Sequence, residues 1–181
     1  MSGHNKWSKI KHKKAATDAQ KSKIFSKHSS LIAVESRKAN GDVSSPGLAA
    51  AIERAKKDSM PKENIEKAVA KGSGVGGAAL EEVMFEAFGP GGTALIVTAV
   101  TDNNNRIVAE VRHIFSKAGF ELGTSGSALW AFTKTEDGYK PNTPLELSDE
   151  DGEKLANLIE ALEENDDVQD VYTTADTPDD V

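Results

Sequence analysis

Cysteine is absent from all 181 residues of the chain. Its absence excludes disulfide scaffolds, thiolate zinc sites and cysteine nucleophiles, and it is typical of a protein of the reducing cytoplasm, which is the location we expect. Long apolar runs are missing too: the longest, residues 94–100, has the length of a strand. A bilayer-spanning helix needs about 20 apolar residues, so no membrane association is expected.

Acidic residues are missing from the first 16 positions, where the run from Lys6 to Lys14 holds five lysines, a histidine and a tryptophan. Residues 1–72 carry 16 basic and 7 acidic side chains, whereas residues 73–181 carry 6 basic and 22 acidic ones. A basic end on an acidic body is suited to approach a polyanion with one end only.

The basic half divides into an arm and a helical domain. Residues 1–16 show no apolar period, which predicts an arm that a partner would order. Residues 17–72 show three amphipathic patterns, which predict a three-helix domain. Its start signals are a capping box at Thr17–Gln20, a Ser45-Pro46 cap and the Met60-Pro61 break between the second and third helices.

A glycine-rich linker, residues 73–80, coincides with the change in charge sign and precedes an α/β domain over residues 81–175. The last residues, 176–181, form an acidic tail. Helices are expected after Asn104 and Ser148, and strands at five segments with a turn at Thr135–Tyr139. The predicted strands are Val83–Phe88, Thr93–Thr101, Ala128–Thr133, Thr143–Leu147 and Val168–Thr174. The predicted class is therefore α+β, with two helices on one sheet of about five strands in a ferredoxin-like α/β domain.

The arm and the first helix provide the candidate nucleic-acid-binding residues. Lysines spaced along an unfolded segment can each meet a phosphate, and a tryptophan among them can stack on an exposed base. The alternative is a solvated charge run with the tryptophan packed back on the helical domain. The candidate residues are His4, Lys6, Trp7, Lys9, Lys11, His12, Lys13, Lys14, Lys21, Lys23 and Lys27.

Secondary contacts are expected at Arg106, where a cation opposes the dipole of the predicted helix, and at Arg112. The loop Gly123–Ser127 offers hydroxyls and free amides, although a plain loop is favoured. The histidines show no ligand spacing and no catalytic constellation is found. We therefore expect no enzyme activity, no cofactor and no metal.

Several motifs in one order along the whole chain resemble the YebC/PmpR family. They are Gly3-His4-Asn5-Lys6-Trp7, Ile10-Lys11-His12-Lys13, Met60-Pro61-Lys62-Glu63-Asn64-Ile65, Gly89-Pro90-Gly91-Gly92, Thr101-Asp102-Asn103 with Arg106, Ala109-Glu110-Val111-Arg112, and Asp167-Val168-Gln169 with Val171-Tyr172. The resemblance implies a cytoplasmic bacterial protein with an N-terminal helical domain followed by α/β domains. It also implies a DNA-binding transcriptional regulator, whereas a mitochondrial relative is described as a translational activator and bacterial relatives have been tied to the ribosome.

The chain departs from the family where a third domain is usually inserted, because it runs from Trp130-Ala131-Phe132 through Thr135–Tyr139 directly to Leu145-Glu146-Leu147. Two targets stay open. A lysine-rich arm with a stacking tryptophan suits RNA, including ribosomal RNA, while the family description favours DNA. The acidic domain is left for a protein partner, and the oligomeric state is not predicted.

Overall fold

A computed structural model describes residues 17–74 and 79–176. The predicted arm, part of the predicted linker and most of the predicted tail lie outside these residues. The described chain forms two compact units. One holds residues 17–74, 79–83 and 100–104, and the other holds residues 84–99 and 105–176.

The first unit contains three helices, α1 (Asp18–Lys38), α2 (Pro46–Lys57) and α3 (Lys62–Ser73). The predicted capping box is confirmed, because the Gln20 amide donates to Thr17 Oγ1 at 3.3 Å and the Thr17 amide donates to Gln20 Oε1 at 2.9 Å. Each bond satisfies a donor that the first helical turn leaves unpaired.

The three helices bury one small apolar core, which includes Ile32, Leu48, Ala55 and Ile65. Gly72 belongs to the last turn of α3 rather than following the helix. A Cβ atom at this position would lie 2.2 Å from the carbonyl oxygen of Ala33 in α1. Glycine is therefore required here because the backbones of α1 and α3 approach each other closely.

Besides short 3-10 turns, the rest of the described chain forms two α-helices and five strands. They are β1 (Glu81–Phe88), β2 (Ala94–Thr101), α4 (Asn104–Lys117), β3 (Phe132–Thr135), β4 (Gly138–Pro141), α5 (Asp149–Glu163) and β5 (Val168–Thr173). One sheet has the order β1-β2-β5, with β2 antiparallel to β5, and β3 pairs with β4 in a separate hairpin. Seven of the eight β2 residues are buried, as expected for a central strand. The α+β class is confirmed.

The sheet differs in detail from the expected single sheet of about five strands. The segment Thr143–Leu147 forms only an isolated bridge between Leu145 and Ala175. Pro144 has no N–H to give to a ladder, which limits pairing there. The predicted turn at Thr135–Tyr139 is the tip of the β3–β4 hairpin, in which Thr135 pairs with Gly138. The two turn residues are Glu136 and Asp137, and Gly138, the first residue of β4, has a φ of 119°, which glycine adopts readily.

The predicted strand Ala128–Thr133 begins only at Phe132, because residues 129–131 form a short 3-10 turn. The amides of Ala128 and Leu129 donate to the carboxylate of Glu86. These donors are therefore unavailable to a strand ladder, which delays the start of β3.

Candidate nucleic-acid interface

Eight of the predicted contact residues lie outside the described part of the chain. They are His4, Lys6, Trp7, Lys9, Lys11, His12, Lys13 and Lys14. The described chain starts at Thr17, the residue that caps α1.

The three predicted contacts in α1 lie within its first three turns. Lys23 and Lys27 are four residues apart and thus share one face of the helix, whereas Lys21 lies on a different side. Lys21 is exposed, and Lys23 and Lys27 are half-buried. The helix therefore presents its lysines in two directions rather than in a single stripe.

Several other cations of this unit are matched by carboxylates. Lys38 contacts Glu35 at 3.0 Å and also Glu82. Burial would lower the pKa of Lys38, but its bonds to Glu82 and Glu35 raise that pKa above its ordinary value. Burial, followed by a hydrogen bond to Glu82, raises the pKa of Glu35. Lys38 is thus held within a carboxylate cluster and contributes little net charge to the surface.

Exposed pairs within helices partly compensate three further lysines. The distances are 2.9 Å for Lys56–Glu53, 3.7 Å for Lys62–Glu66 and 2.9 Å for Lys67–Glu63. Such exposed pairs contribute about 0.5 kcal/mol or less, so a phosphate can compete for these lysines at little cost.

Arg37 and Lys71 were not predicted as contacts, yet the fold brings them together. Both line a small crevice with Ala33, Val34 and Gly72, where the last turns of α1 and α3 meet. The Ser36 hydroxyl, which donates to Val69 O at 2.7 Å, joins the same two turns. Within residues 17–74 and 79–176, neither Arg37 nor Lys71 makes an ion pair. A cation in the last turn of a helix interacts favourably with the helix dipole. The positions of Arg37 and Lys71 in such turns are therefore the sequence signal that could have identified them.

The two predicted secondary contacts, Arg106 and Arg112, have different surroundings in the structure. The guanidinium of Arg106 lies 2.6 Å from Asp167 Oδ2 and 3.8 Å from Glu110 Oε1. Its charge is therefore compensated by two carboxylates, of which Asp167 ties the first turn of α4 to the loop before β5. Arg112 is exposed, and no ion pair of its side chain is found among the described residues.

Both glycine amides of the loop Gly123–Ser127 are already bonded within the protein, whereas its sequence suggests free amides. The Gly123 amide donates to Glu86 O at 2.8 Å, and the Gly126 amide donates to Glu86 Oε2 at 2.6 Å. Glu86 Oε1 accepts from the Ala128 amide at 3.1 Å and from the Leu129 amide at 2.6 Å. A buried internal carboxylate thus fills the position that an external anion would need.

These amides also decide the ionisation of Glu86. Burial would raise the pKa of this carboxyl, but bonds from the amides of Gly126, Leu129 and Ala128 together lower it below the ordinary value. Glu86 is therefore an anion at neutral pH, and it holds the loop to β1.

No metal-binding cluster is found among the residues that the structure describes. No group of three or more His, Asp or Glu side chains there could hold a metal ion. The buried His28 is paired through Nε2 with Asp58 Oδ2 at 2.7 Å, which joins α1 to the end of α2. Within these same ranges, no helix is long and apolar enough to cross a membrane.

Comparison with known proteins gives matches along almost the whole chain. Residues 5–75 match the TACO1/YebC protein N-terminal domain, and residues 80–136 and 133–175 match the TACO1/YebC second and third domain. A protein of Thermoanaerobacter pseudethanolicus is 38% identical over 242 positions, covering 99% of this chain and 98% of that protein. One of Chloroherpeton thalassium is 39% identical, covering 96% and 94% respectively. Both are named as probable transcriptional regulatory proteins.

A solved structure agrees with these matches. The crystal structure of a conserved hypothetical protein from Aquifex aeolicus superimposes with a TM-score of 0.80 at 33% identity, and covers 95% of this chain and 97% of that one. The alignment with the Thermoanaerobacter protein runs over 242 positions, more than the 181 residues present here, so that relative has additional residues. The two pieces of the second match meet at residues 133–136, in the β3–β4 hairpin, where the third domain was predicted to be missing. The chain therefore belongs to the TACO1/YebC family, and the two bacterial relatives given above are named as probable transcriptional regulatory proteins.

Proposed function

We propose that this protein is a non-enzymatic, cytoplasmic regulator of gene expression that binds nucleic acid, acting as a DNA-binding transcriptional regulator. The observation that carries the proposal is the separation of charge, with 16 basic and 7 acidic residues before position 73 against 6 and 22 after it. The names of the relatives support the regulatory role.

The basic arm supplies most of the phosphate contacts, and the helical unit adds Lys21, Lys23 and Lys27 beside it. Arg37 and Lys71 extend the cationic surface to the ends of α1 and α3. If about eight phosphates of duplex DNA are neutralised, log K falls against log salt with a slope of about −7. The acidic α/β unit repels the same polyanion and is left to face a protein partner.

A second function, that of a translation factor bound to ribosomal RNA, is favoured by the kind of side chains present. Sequence-specific DNA binding usually needs Asn, Gln or Arg delivered to base edges by a recognition helix. Here the candidate contacts are mainly lysines, which hold phosphates without reading sequence, together with Trp7, which can stack on an unpaired base.

Removal of residues 2–16 tests the proposed interface. We expect the salt slope of binding to a labelled duplex to fall by about 4 to 5, one unit for nearly every lysine removed. Removal of residues 177–181, which contain two aspartates and no basic residue, is the matched control and leaves the slope unchanged. An unaltered affinity and slope in the first deletion would exclude the arm as the binding element.

Crosslinking in cells followed by sequencing of the attached nucleic acid separates the two functions. Recovery of promoter DNA supports the transcriptional regulator and rules out the ribosomal function. Recovery of ribosomal RNA does the opposite, because each function requires its own polyanion at the arm.

A further inference from the structure

Trp130 is the most exposed large apolar side chain among the described residues, with 71% of its surface accessible. It lies just before β3, in the 3-10 turn. Its indole Nε1–H donates to the carbonyl oxygen of Ser127 at 2.7 Å. The only polar atom of the ring is thus satisfied internally, and this bond fixes the orientation in which the ring faces the solvent.

The backbone beneath the ring is held from both sides. Asn142 Nδ2 donates to the carbonyl oxygen of Trp130 at 3.0 Å, and the Asn142 amide donates to Ala131 O at 2.8 Å. The amide of Leu129, the preceding residue, donates to the buried carboxylate of Glu86. A flat aromatic surface is therefore presented on a rigid support, so little ordering entropy is lost when a ligand binds to it.

Cations lie on the same hairpin. Lys140 pairs with Thr133 across the β3–β4 ladder, and Asn142 is the residue that directly follows β4. The Thr133 hydroxyl contacts Asn142 Oδ1. Lys134 and Lys140 are both exposed, and in the described ranges neither forms an ion pair. The tip of the hairpin also carries Glu136 and Asp137, so the hairpin is neutral overall, and Lys140 is the cation that shares a face with Thr133.

We propose that Trp130, with Asn142 and Lys140, forms a stacking site for an unpaired base of single-stranded nucleic acid, separate from the arm. The inference depends on the proposed function only for the class of ligand. A base has two flat faces that stack on an aromatic ring whatever its identity, while Lys140 can meet the adjoining phosphate. In an intact duplex both faces are already covered by neighbouring bases, so the site selects single strands.

The neighbours of Trp130 favour this ligand over a protein surface. The interface core of a protein complex is usually apolar and poor in charge. The exposed groups linked to Trp130 through Asn142 and the β3–β4 ladder are a hydroxyl, an amide and an ammonium, which suit the polar edges of a base and its phosphate better than the apolar core of a protein partner.

The test uses the full chain with Trp7→Phe, which leaves Trp130 as the single tryptophan because the chain contains two. Oligo(U) and oligo(dT) 12-mers and a blunt duplex of the same length are titrated, with Trp130 fluorescence and anisotropy of the labelled oligonucleotide recorded together. We expect both single strands to quench Trp130, and the duplex to bind without quenching it.

Variants of the site then measure its contribution. Trp130→Ala should weaken single-strand binding about 5- to 100-fold, while Trp130→Phe retains most of the affinity. Lys140→Gln should reduce the single-strand salt slope by about 0.7, and Lys154→Gln is the control, since Lys154 is already paired with Glu150 at 2.9 Å. If Trp130→Ala disturbs folding, the affinity of Trp130→Phe and the salt slope of Lys140→Gln still test the stacking site.

Two negative results have different meanings. Single-strand binding that depends on the arm but leaves Trp130 fluorescence and the Trp130→Ala affinity unchanged would overturn the stacking site and leave the proposed function standing. Absence of any anisotropy change with either single strand or duplex at low salt would overturn both.

Discussion

Replacement of Glu86 by glutamine tests whether one buried carboxylate organises the loop that carries Trp130. Glutamine keeps the shape and one acceptor oxygen, but its NH2 group would face a donor where the Gly126 amide now contacts Glu86 Oε2 at 2.6 Å. The bonds from Ala128 and Leu129 lose their charge assistance. A hydrogen bond to a charged group contributes about 1.5 to 3 kcal/mol, and we expect Glu86→Gln to lower the free energy of unfolding by about 2 to 3 kcal/mol.

The pH dependence has a definite sign. The pKa of Glu86 is lowered in the folded state, so its stabilisation is fully present above the ordinary glutamate pKa, about 4.3, and is lost as the pH falls through the lowered pKa. The difference in stability between the wild type and Glu86→Gln should therefore be constant near neutral pH and shrink in acid. Protonated Glu86 resembles glutamine, which is why the two proteins converge.

Urea unfolding followed by Trp130 fluorescence in the Trp7→Phe background measures this effect in the unit that contains Glu86. Glu121→Gln, an exposed change of the same chemistry in the same unit, serves as the control and should alter stability by less than about 0.5 kcal/mol. Equal stabilities of Glu86→Gln and its parent at pH 7, or a difference that grows in acid, would refute the role assigned to this carboxylate.

Three further changes probe the helical unit. Gly72→Ala places a methyl group 2.2 Å from Ala33 O and should cost more than about 2 kcal/mol by urea unfolding followed by circular dichroism; Gly74→Ala, whose nearest contact is 3.2 Å, should cost clearly less. Thr17→Ala removes the capping-box acceptor and should cost about 1 kcal/mol by the same assay, whereas Thr17→Ser restores it. The double variant Arg37→Gln, Lys71→Gln should reduce the salt slope of duplex binding by about 2. An unreduced salt slope in this variant would show that the crevice does not contact the duplex.

Local signals in the sequence were sufficient for most of the helices. The Thr17–Gln20 box requires only neighbouring residues, and both of its hydrogen bonds are present. The apolar stripes of α2 and α3 likewise fix which faces meet in the core. Such features depend on contacts within a few residues, which a pattern of spacing can describe.

Features that depend on distant residues were missed. Glu86 reaches amides about 40 residues away, and nothing in the strand pattern of β1 indicates that one of its side chains will consume the donors of a later loop. Arg37 and Lys71 are 34 positions apart in sequence and meet only because Gly72 lets two helices approach. The spacing of residues alone could therefore predict neither where β3 starts nor that Arg37 and Lys71 line one crevice.

The β3–β4 hairpin has a consequence for where additional residues could be inserted into this fold. Thr135 and Gly138 pair across the ladder, so a segment inserted between them would leave and re-enter the fold at adjacent points. Closing a loop between ends that are already neighbours costs only about 0.6 kcal/mol for each doubling of its length. A whole domain could therefore be inserted between Thr135 and Gly138 while β3 and β4 keep their register. This turn is the position at which the additional residues of the longer relatives could be introduced by protein engineering.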